Sequence, residues 1–139
     1  MRFQGKLRRD GKFWLAEVSV FDAMTQGRSR KEALEMIADW FVTMADRKGF
    51  SVEIHPAGKD TFEASSSDAR TMVSLLLRRQ RQKSGLSLAQ AAQRLGAKSR
   101  NAYARYERGA SVPTVEKLDE LLRDVAPGRD IVLHQSVAA

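Results

Sequence analysis

The side chains that most often perform catalysis or bind metal ions are scarce in this chain. It contains no cysteine, which excludes disulfides, thiolate-bound metals and thiol nucleophiles. Its two histidines, His55 and His134, lie far apart in sequence. Its carboxylates show no spacing that would gather the several acidic ligands of a metal-dependent nuclease. We therefore expect no catalytic residue, no metal site and no cofactor.

Lysine and arginine are abundant instead, and they are unevenly distributed. The chain has a formal net charge of +7, but residues 70–108 hold ten lysines and arginines against one acid, Glu107. Residues 1–67 carry a net charge of only +1. A local charge of +9 is typical of a surface that binds a polyanion, and a solvated basic surface is the alternative. The contrast indicates two modules with different tasks.

Length and composition set the broad class. A chain of 139 residues, 42% hydrophobic and 29% charged, has room for one domain or two small ones. No apolar run approaches the roughly 18–20 residues that span a bilayer. The first ten residues contain no apolar core of a signal peptide. We expect a soluble, cytoplasmic protein without a membrane partner.

The hydrophobic period indicates a small antiparallel sheet with one helix in the first module. Alternating apolar residues predict a hairpin that turns at Asp10-Gly11, and further strands on either side of a helix. Ser29 and Glu32 fit the capping box of that helix, which runs to about Lys48. The predicted strands cover residues 2–7, 13–21, 23–27, 50–55 and 61–64.

The predicted helix is apolar over well more than half of its circumference, which exceeds what one sheet face requires. Met36 and Trp40 lie on one edge of the excess and Val42 on the other. Met36 and Trp40 are therefore candidate partner-binding residues. The alternative is a large helix that its own sheet and neighbours surround.

The second module is predicted to be helical. A polar linker at residues 65–69 separates it from the first, and cap residues and glycines then divide residues 70–125 into four helices. Residues 130–134 fit a terminal strand. The expected fold class is α+β, with a small antiparallel sheet and one helix followed by an all-α bundle.

Two short helices joined by a glycine-containing turn within a basic bundle form a helix-turn-helix pattern. The residues LRRQRQKSGLSLAQAAQRLG, followed by RYERG, resemble the Xre family of phage-repressor-like helix-turn-helix domains. The similarity covers residues 70–125. The interval from Gly96 to Tyr106 is one residue longer than the family pattern, and we place the additional residue in the turn at residues 97–99.

The resemblance to the Xre family implies roles for residues in and around the second helix of the helix-turn-helix motif, which begins near Ser99. Arg100, Asn101 and Arg105 become candidate base readers, because arginine suits guanine and asparagine suits adenine. It further implies a buried ion pair between Arg81 and Glu107, and places Tyr103 and Tyr106 in the core. The candidate phosphate contacts are Lys98, Ser99, Ser87 and Gln90.

The first module resembles another family. The stretch GKFWLAEVSVFDAMTQGRSRKEALEMIADW is similar to the N-terminal domain of HicB-type antitoxins, in its Gly11–Ala16 hairpin, its Thr25-Gln26-Gly27 and its Glu32-Ala33-Leu34. The segment 21–24 departs from the family, which often has proline, glycine or cysteine there. The resemblance implies a partial ribonuclease-H-like fold without catalysis. It also implies a toxin partner of the HicA type, a small RNA-cleaving protein.

Together the two resemblances imply an antitoxin that masks a toxin with residues 1–64 and represses its own operon with residues 70–139. Xre modules usually bind two half-sites of double-stranded DNA as dimers, so we expect a homodimer or higher oligomer joined through the terminal strand or the fourth helix. Two alternatives stay open. One is a repressor whose first module senses a small molecule, and the other is a nuclease.

Overall fold

The computed structural model describes residues 1–137. Its first 65 residues contain five strands: β1 (Arg2–Asp10), β2 (Phe13–Val18), β3 (Ala23–Gly27), β4 (Glu53–Pro56) and β5 (Thr61–Ser65). They form one antiparallel sheet in the order β3-β2-β1-β5-β4. Helix α1 (Arg30–Ala45) lies across one face and connects the edge strand β3 to β4 at the opposite edge. Apart from α1, the chain up to residue 65 is therefore a single sheet.

The covered face of the sheet forms the first hydrophobic core. Leu7 of β1 stands opposite Ala16 of β2, and Gly5 stands opposite Phe62 of β5. Gly5 leaves the space that the Phe62 ring fills, since a β-carbon there would lie 2.2 Å from the ring. Helix α1 contributes a buried stripe spaced by four residues: Ala33, Ile37 and Phe41.

Strand β2 is shorter than predicted. It ends at Val18, and Ser19–Phe21 form a turn of 3₁₀ helix that ends at Asp22, whose φ is +51°. The turn buries Phe21 completely and packs it edge-on against the rings of Phe3 and Phe41. The alternation of apolar residues continues beyond Val18, where the pairing of β2 with β3 stops. The alternation therefore could not predict where β2 ends.

Thr25 and Gly27 join β3 to α1. Thr25 Oγ1 donates to the carbonyl of Ala33, and a β-carbon on Gly27 would lie 2.5 Å from the Ala33 nitrogen. Ser29 caps α1 by accepting from the Glu32 N–H, while Glu32 reaches back to the N–H of Arg28. The helix ends at Ala45, three residues before the predicted end, because Asp46 adopts a left-handed φ of +46°.

The helical region follows after β5. Ser87 and Gln90 form a capping box, with each side chain accepting from the other residue's backbone N–H. No helix within residues 1–137 is long and apolar enough to cross a membrane. The helices are α2 (Ala69–Lys83), α3 (Leu88–Arg94), α4 (Arg100–Glu107) and α5 (Val115–Val125). The expected α+β fold class is therefore confirmed.

Helix α2 belongs to two hydrophobic cores. Its residues Met72, Leu75 and Leu76 pack into the core of the sheet, while Leu77 packs against α3, α4 and α5. Of the segment predicted as a linker, residues 65–69, only residues 66–68 lie between regular elements, because Ser65 ends β5 and Ala69 begins α2. The sheet region (residues 1–65) and the helical region (residues 69–125) are thus packed together through one helix.

The terminal strand predicted at residues 130–134 is absent from the described structure, and residues 131–137 have no regular secondary structure. The guanidinium of Arg129 is held by Gln80 and Ser84, after which the tail leaves the helices. A strand needs a partner edge, and no pairing of this segment occurs within residues 1–137. Val132 and Leu133 are consequently more than four-fifths exposed.

Candidate nucleic-acid interface

Helices α3 and α4 and the turn between them are fixed by the second core. Ala91 and Ala92 of α3 and Tyr103 and Tyr106 of α4 are buried in it. Gly96 closes α3 with a φ of +69°, a conformation that costs glycine little. The two tyrosines therefore serve packing, as predicted, and the opposite side of α4 faces solvent.

The outward side of α4 carries a row of polar and basic side chains. Asn101, Arg105 and Arg108 recur at intervals of four and three residues, and all three are exposed. Arg108 continues the row because its backbone stays helical at the C-cap. Arg100, in the first turn, is exposed beside them. We call the surface formed by Arg100, Asn101, Arg105 and Arg108 the reading face.

Two of the predicted base readers, Asn101 and Arg105, therefore share one side of α4 with Arg108, which was not predicted, and the third, Arg100, lies beside Asn101 in the first turn. The signal for Arg108 was present in the spacing, since 101, 105 and 108 fall on one side of a helix. Within that surface the Arg105 guanidinium stacks over the ring of Tyr106, with 5.1 Å between its central carbon and the ring centroid. This contact orients Arg105 and leaves its guanidinium donors free except for one, which lies 3.4 Å from the Tyr106 hydroxyl.

The predicted phosphate contacts lie at the N-terminal ends of α3 and α4. Lys98 and Ser99 are exposed in the turn, and Ser99 is the N-cap of α4 but forms no side-chain cap hydrogen bond. Ser87 and Gln90 use their side-chain oxygens in the capping box of α3. The Ser87 hydroxyl hydrogen and the Gln90 amide group make no hydrogen bond within residues 1–137.

The predicted ion pair beneath the reading face is present. Arg81 Nε lies 2.6 Å from Glu107 Oε1, and a second guanidinium nitrogen lies 3.2 Å from the other carboxylate oxygen. Tyr103 donates its hydroxyl to the same carboxylate over 2.9 Å. Burial, followed by the neighbouring Glu107 charge, raises the pKa of Tyr103 above its ordinary value, so the phenol stays a donor.

Six of the ten basic residues in 70–108 donate to an acceptor within the protein. Arg78 donates to the carbonyl of Met44, Arg79 to those of Phe21 and Asp22, and Arg94 to that of Asp124. The six basic residues with such protein acceptors are Arg70, Arg78, Arg79, Arg81, Lys83 and Arg94. Arg78, Arg79 and Arg81 are also partly buried, whereas Arg70, Lys83 and Arg94 stay exposed.

The remaining four basic residues of the cluster all lie on or next to the reading face. They are Lys98, Arg100, Arg105 and Arg108, and each is exposed. Within the described part of the chain, the Tyr106 hydroxyl, 3.4 Å from Arg105, is the one acceptor found for any of them. The basic groups of the cluster that lack an acidic or carbonyl acceptor are thus concentrated where a polyanion could contact α4.

The two candidate partner-binding residues lie elsewhere, on α1. Met36 is 43% exposed and open to a partner. Trp40 is half-buried and packs edge-on against Phe41, and the guanidinium of Arg79 lies 5.2 Å from its ring centroid. Helix α2 therefore covers part of the apolar excess of α1, whereas Met36 and Val42 stay exposed.

Comparison with known families concerns the helical region alone. Residues 77–124 match the helix-turn-helix family, a span that runs from the last turns of α2 to the end of α5. No match is found among curated proteins. Within residues 1–137 no three histidine, aspartate or glutamate side chains are grouped as a metal site would require. Residues 77–124 are therefore an Xre-family helix-turn-helix domain, which indicates DNA-binding transcription regulation.

Proposed function

We propose that this chain is a sequence-specific transcriptional repressor that reads operator DNA with the reading face of α4. The observation that carries the proposal is the concentration of unpaired basic groups there: Arg100 and Arg108 have no protein acceptor within residues 1–137, and Arg105 has only a tyrosine hydroxyl. A helix of this kind enters the major groove, and its exposed side chains reach base edges.

The roles follow from side-chain chemistry. Arg100 and Arg105 would donate to guanine, and Asn101 would pair with adenine. Arg108, at the far end of the face, would contact a base or the backbone. The phosphate contacts would come from Lys98, Ser99, Ser87 and Gln90, the last two through the donors that the capping box leaves unused. Such a protein would act in the cytoplasm, where operator DNA lies.

Recognition of two half-sites would require a homodimer or a higher oligomer. The tail supports this part of the proposal, because residues 131–137 expose apolar side chains and leave their backbone without strand partners. Such a segment can pair with a strand or pack on a helix of a second copy.

Selection of duplexes from a random pool, followed by footprinting, tests the DNA function. We expect enrichment of a two-fold-related site and a binding constant for that site well above the constant for a scrambled duplex. The scrambled duplex shares length and charge, so it measures the contribution of phosphates alone. A protein that enriches no sequence, or that binds both duplexes equally, would contradict sequence-specific repression.

We further propose that the sheet region binds and neutralises a HicA-type toxin, which would make the protein an antitoxin and autorepressor. The support is the resemblance around Thr25-Gln26-Gly27, together with the near-neutral charge of residues 1–67 and the exposed Met36. A ligand-responsive repressor is the competing function. Its sensor pocket would belong in the sheet region, whereas the cavity of about 100 Å³ lies between α2 and α5.

Co-expression with a small basic HicA-type toxin separates these functions. An antitoxin should copurify with the toxin and restore growth, and Met36→Glu should weaken the complex because it places a charge on an apolar contact. Trp40→Ala would remove core packing as well, so Met36→Glu is the cleaner variant. A chain that neither binds the toxin nor relieves growth arrest would contradict the antitoxin function and favour the sensor.

A further inference from the structure

The carboxyl end of helix α4 accepts hydrogen bonds from one arginine of the sheet region and one of α2. Arg47, in the loop after α1, donates from its guanidinium to the carbonyl of Arg108 over 2.6 Å. Arg70 of α2 donates to the carbonyl of Gly109 over 3.0 Å. Both acceptors lie just beyond the last turn of α4, where backbone carbonyls point away from the helix and lack intrahelical partners.

The backbone conformation at the end of α4 leaves two carbonyls available to these arginines. Gly109 adopts a φ of +70°, and the N–H groups of Gly109 and Ala110 return to the carbonyls of Tyr106 and Arg105. This glycine-based termination leaves the Arg108 carbonyl for an external donor. A β-carbon at position 109 would lie 3.0 Å from the Arg47 guanidinium, so the glycine also makes room for it.

Apart from the second core and the ion pair between Arg81 and Glu107, helix α4 has few local supports. It is eight residues long, a length at which a helix in water depends on caps and packing. Its N-cap, Ser99, forms no side-chain cap hydrogen bond, unlike the N-caps of α1, α2, α3 and α5. A cation at the carboxyl end also interacts favourably with the helix dipole. The carboxyl end is therefore where side chains of other elements hold the position of α4.

We propose that Arg47 is a positioning residue for DNA reading, through which the sheet region sets the orientation of α4. Bidentate contacts to base edges tolerate little angular error, so a loosened helix would lose sequence discrimination before it loses general attraction to DNA. The proposal rests on the DNA-reading function proposed above. It makes the sheet region part of the DNA-binding machinery although Arg47 itself need not touch DNA.

The test compares Arg47→Ala with its neighbour Lys48→Ala, which removes the same charge from an exposed side chain of the same loop. We expect Arg47→Ala to bind the selected duplex about three- to tenfold more weakly, as the loss of one charge-assisted helix-end contact implies. Binding of the scrambled duplex and the salt dependence should stay unchanged. Lys48→Ala should match the wild type, and Arg47→Lys should recover part of the loss.

Two results would overturn the proposal. One is wild-type affinity of Arg47→Ala for the selected duplex. The other is an equal loss on both duplexes with a salt slope shallower by about one unit, since that result marks a direct phosphate contact.

Amide hydrogen exchange of residues 100–107 provides a measurement that needs no DNA. Exchange should accelerate in Arg47→Ala and not in Lys48→Ala, while exchange in α1 and α3 stays unchanged. If the wild type selects no duplex, the DNA function fails, and exchange still decides whether Arg47 holds α4. Unchanged exchange in α4 would contradict the positioning role.

Discussion

At the scale of single residues, the arginines divide by what they donate to. The sequence shows that ten basic residues lie in one segment. It does not show that Arg79 donates to carbonyls of the sheet region whereas Arg105 faces solvent. That distinction depends on contacts between residues nearly 60 positions apart, which no local pattern encodes. The pair between Arg81 and Glu107 was predictable because a family pattern relates the two positions.

Loss of the Glu107 charge should destabilise the protein strongly. Glu107→Gln leaves the Arg81 guanidinium buried and without its carboxylate, so we expect the free energy of unfolding to fall by about 3 kcal/mol. Urea denaturation measures the change. Glu35→Gln, on the exposed side of α1, is the control and should change stability by less than about 0.5 kcal/mol. A loss as small as the control's would show that the buried pair does not contribute to stability.

Asp68 should make stability depend on acid pH. Thr71 donates its N–H and its hydroxyl to this carboxylate, which lowers the pKa of Asp68. A lowered pKa means that the stabilisation is present above the ordinary value of about 3.9 and is lost as the pH falls through the folded-state value. We expect the stability difference between wild type and Asp68→Asn to shrink below about pH 4.

Free energies of unfolding at a series of pH values check this expectation for Asp68. If the difference in free energy of unfolding between wild type and Asp68→Asn stays constant from pH 7 to pH 2, the charge of Asp68 does not stabilise the folded state.

At the scale of elements, every helix and strand predicted within residues 1–125 is present, but several begin or end at other residues than predicted. Caps and glycines located the helix starts well, because capping is local chemistry. The end of β2 and the missing terminal strand could not be predicted, since both depend on which neighbouring edge is available for pairing. The orientation of α4 likewise could not be predicted from the sequence, because one of its contacts, from Arg47 to the Arg108 carbonyl, comes from a distant loop.

Gly27, at the end of β3, packs against the first turn of α1 so closely that a side chain at this position should destabilise the protein. A β-carbon would approach the backbone nitrogen of Ala33, so Gly27→Ala must push the helix from the sheet, at a cost of about 1–3 kcal/mol. Chemical denaturation measures this cost. Gly11→Asn is the matched control, because its position is open and asparagine tolerates a positive φ. Equal stability of the two variants would argue against tight packing at Gly27.

At the scale of the whole molecule, α2 joins the two regions through shared cores and through hydrogen bonds to the 3₁₀ turn. The charge contrast between the halves suggested separate modules, yet a single helix completes both interiors. A DNA-reading surface on one region and a partner-binding surface on the other would therefore be mechanically connected.

Unfolding should consequently be cooperative. Both tryptophans, Trp14 and Trp40, belong to the sheet region, so their fluorescence reports that region. Far-ultraviolet circular dichroism reports chiefly the helices. We expect the two signals to change at the same denaturant concentration, as two-state unfolding requires. Two separated transitions would show that the regions unfold independently.

The central claim is that the reading face of α4 recognises a DNA sequence. The most direct measurement compares the affinities of Arg100→Ala, Arg105→Ala and the exposed control Arg28→Ala for the selected and scrambled duplexes. We expect Arg100→Ala and Arg105→Ala each to weaken binding of the selected duplex by about 5- to 150-fold, with little effect on the scrambled duplex and none in the control. Equal losses on both duplexes, or no loss on either, would contradict the claim.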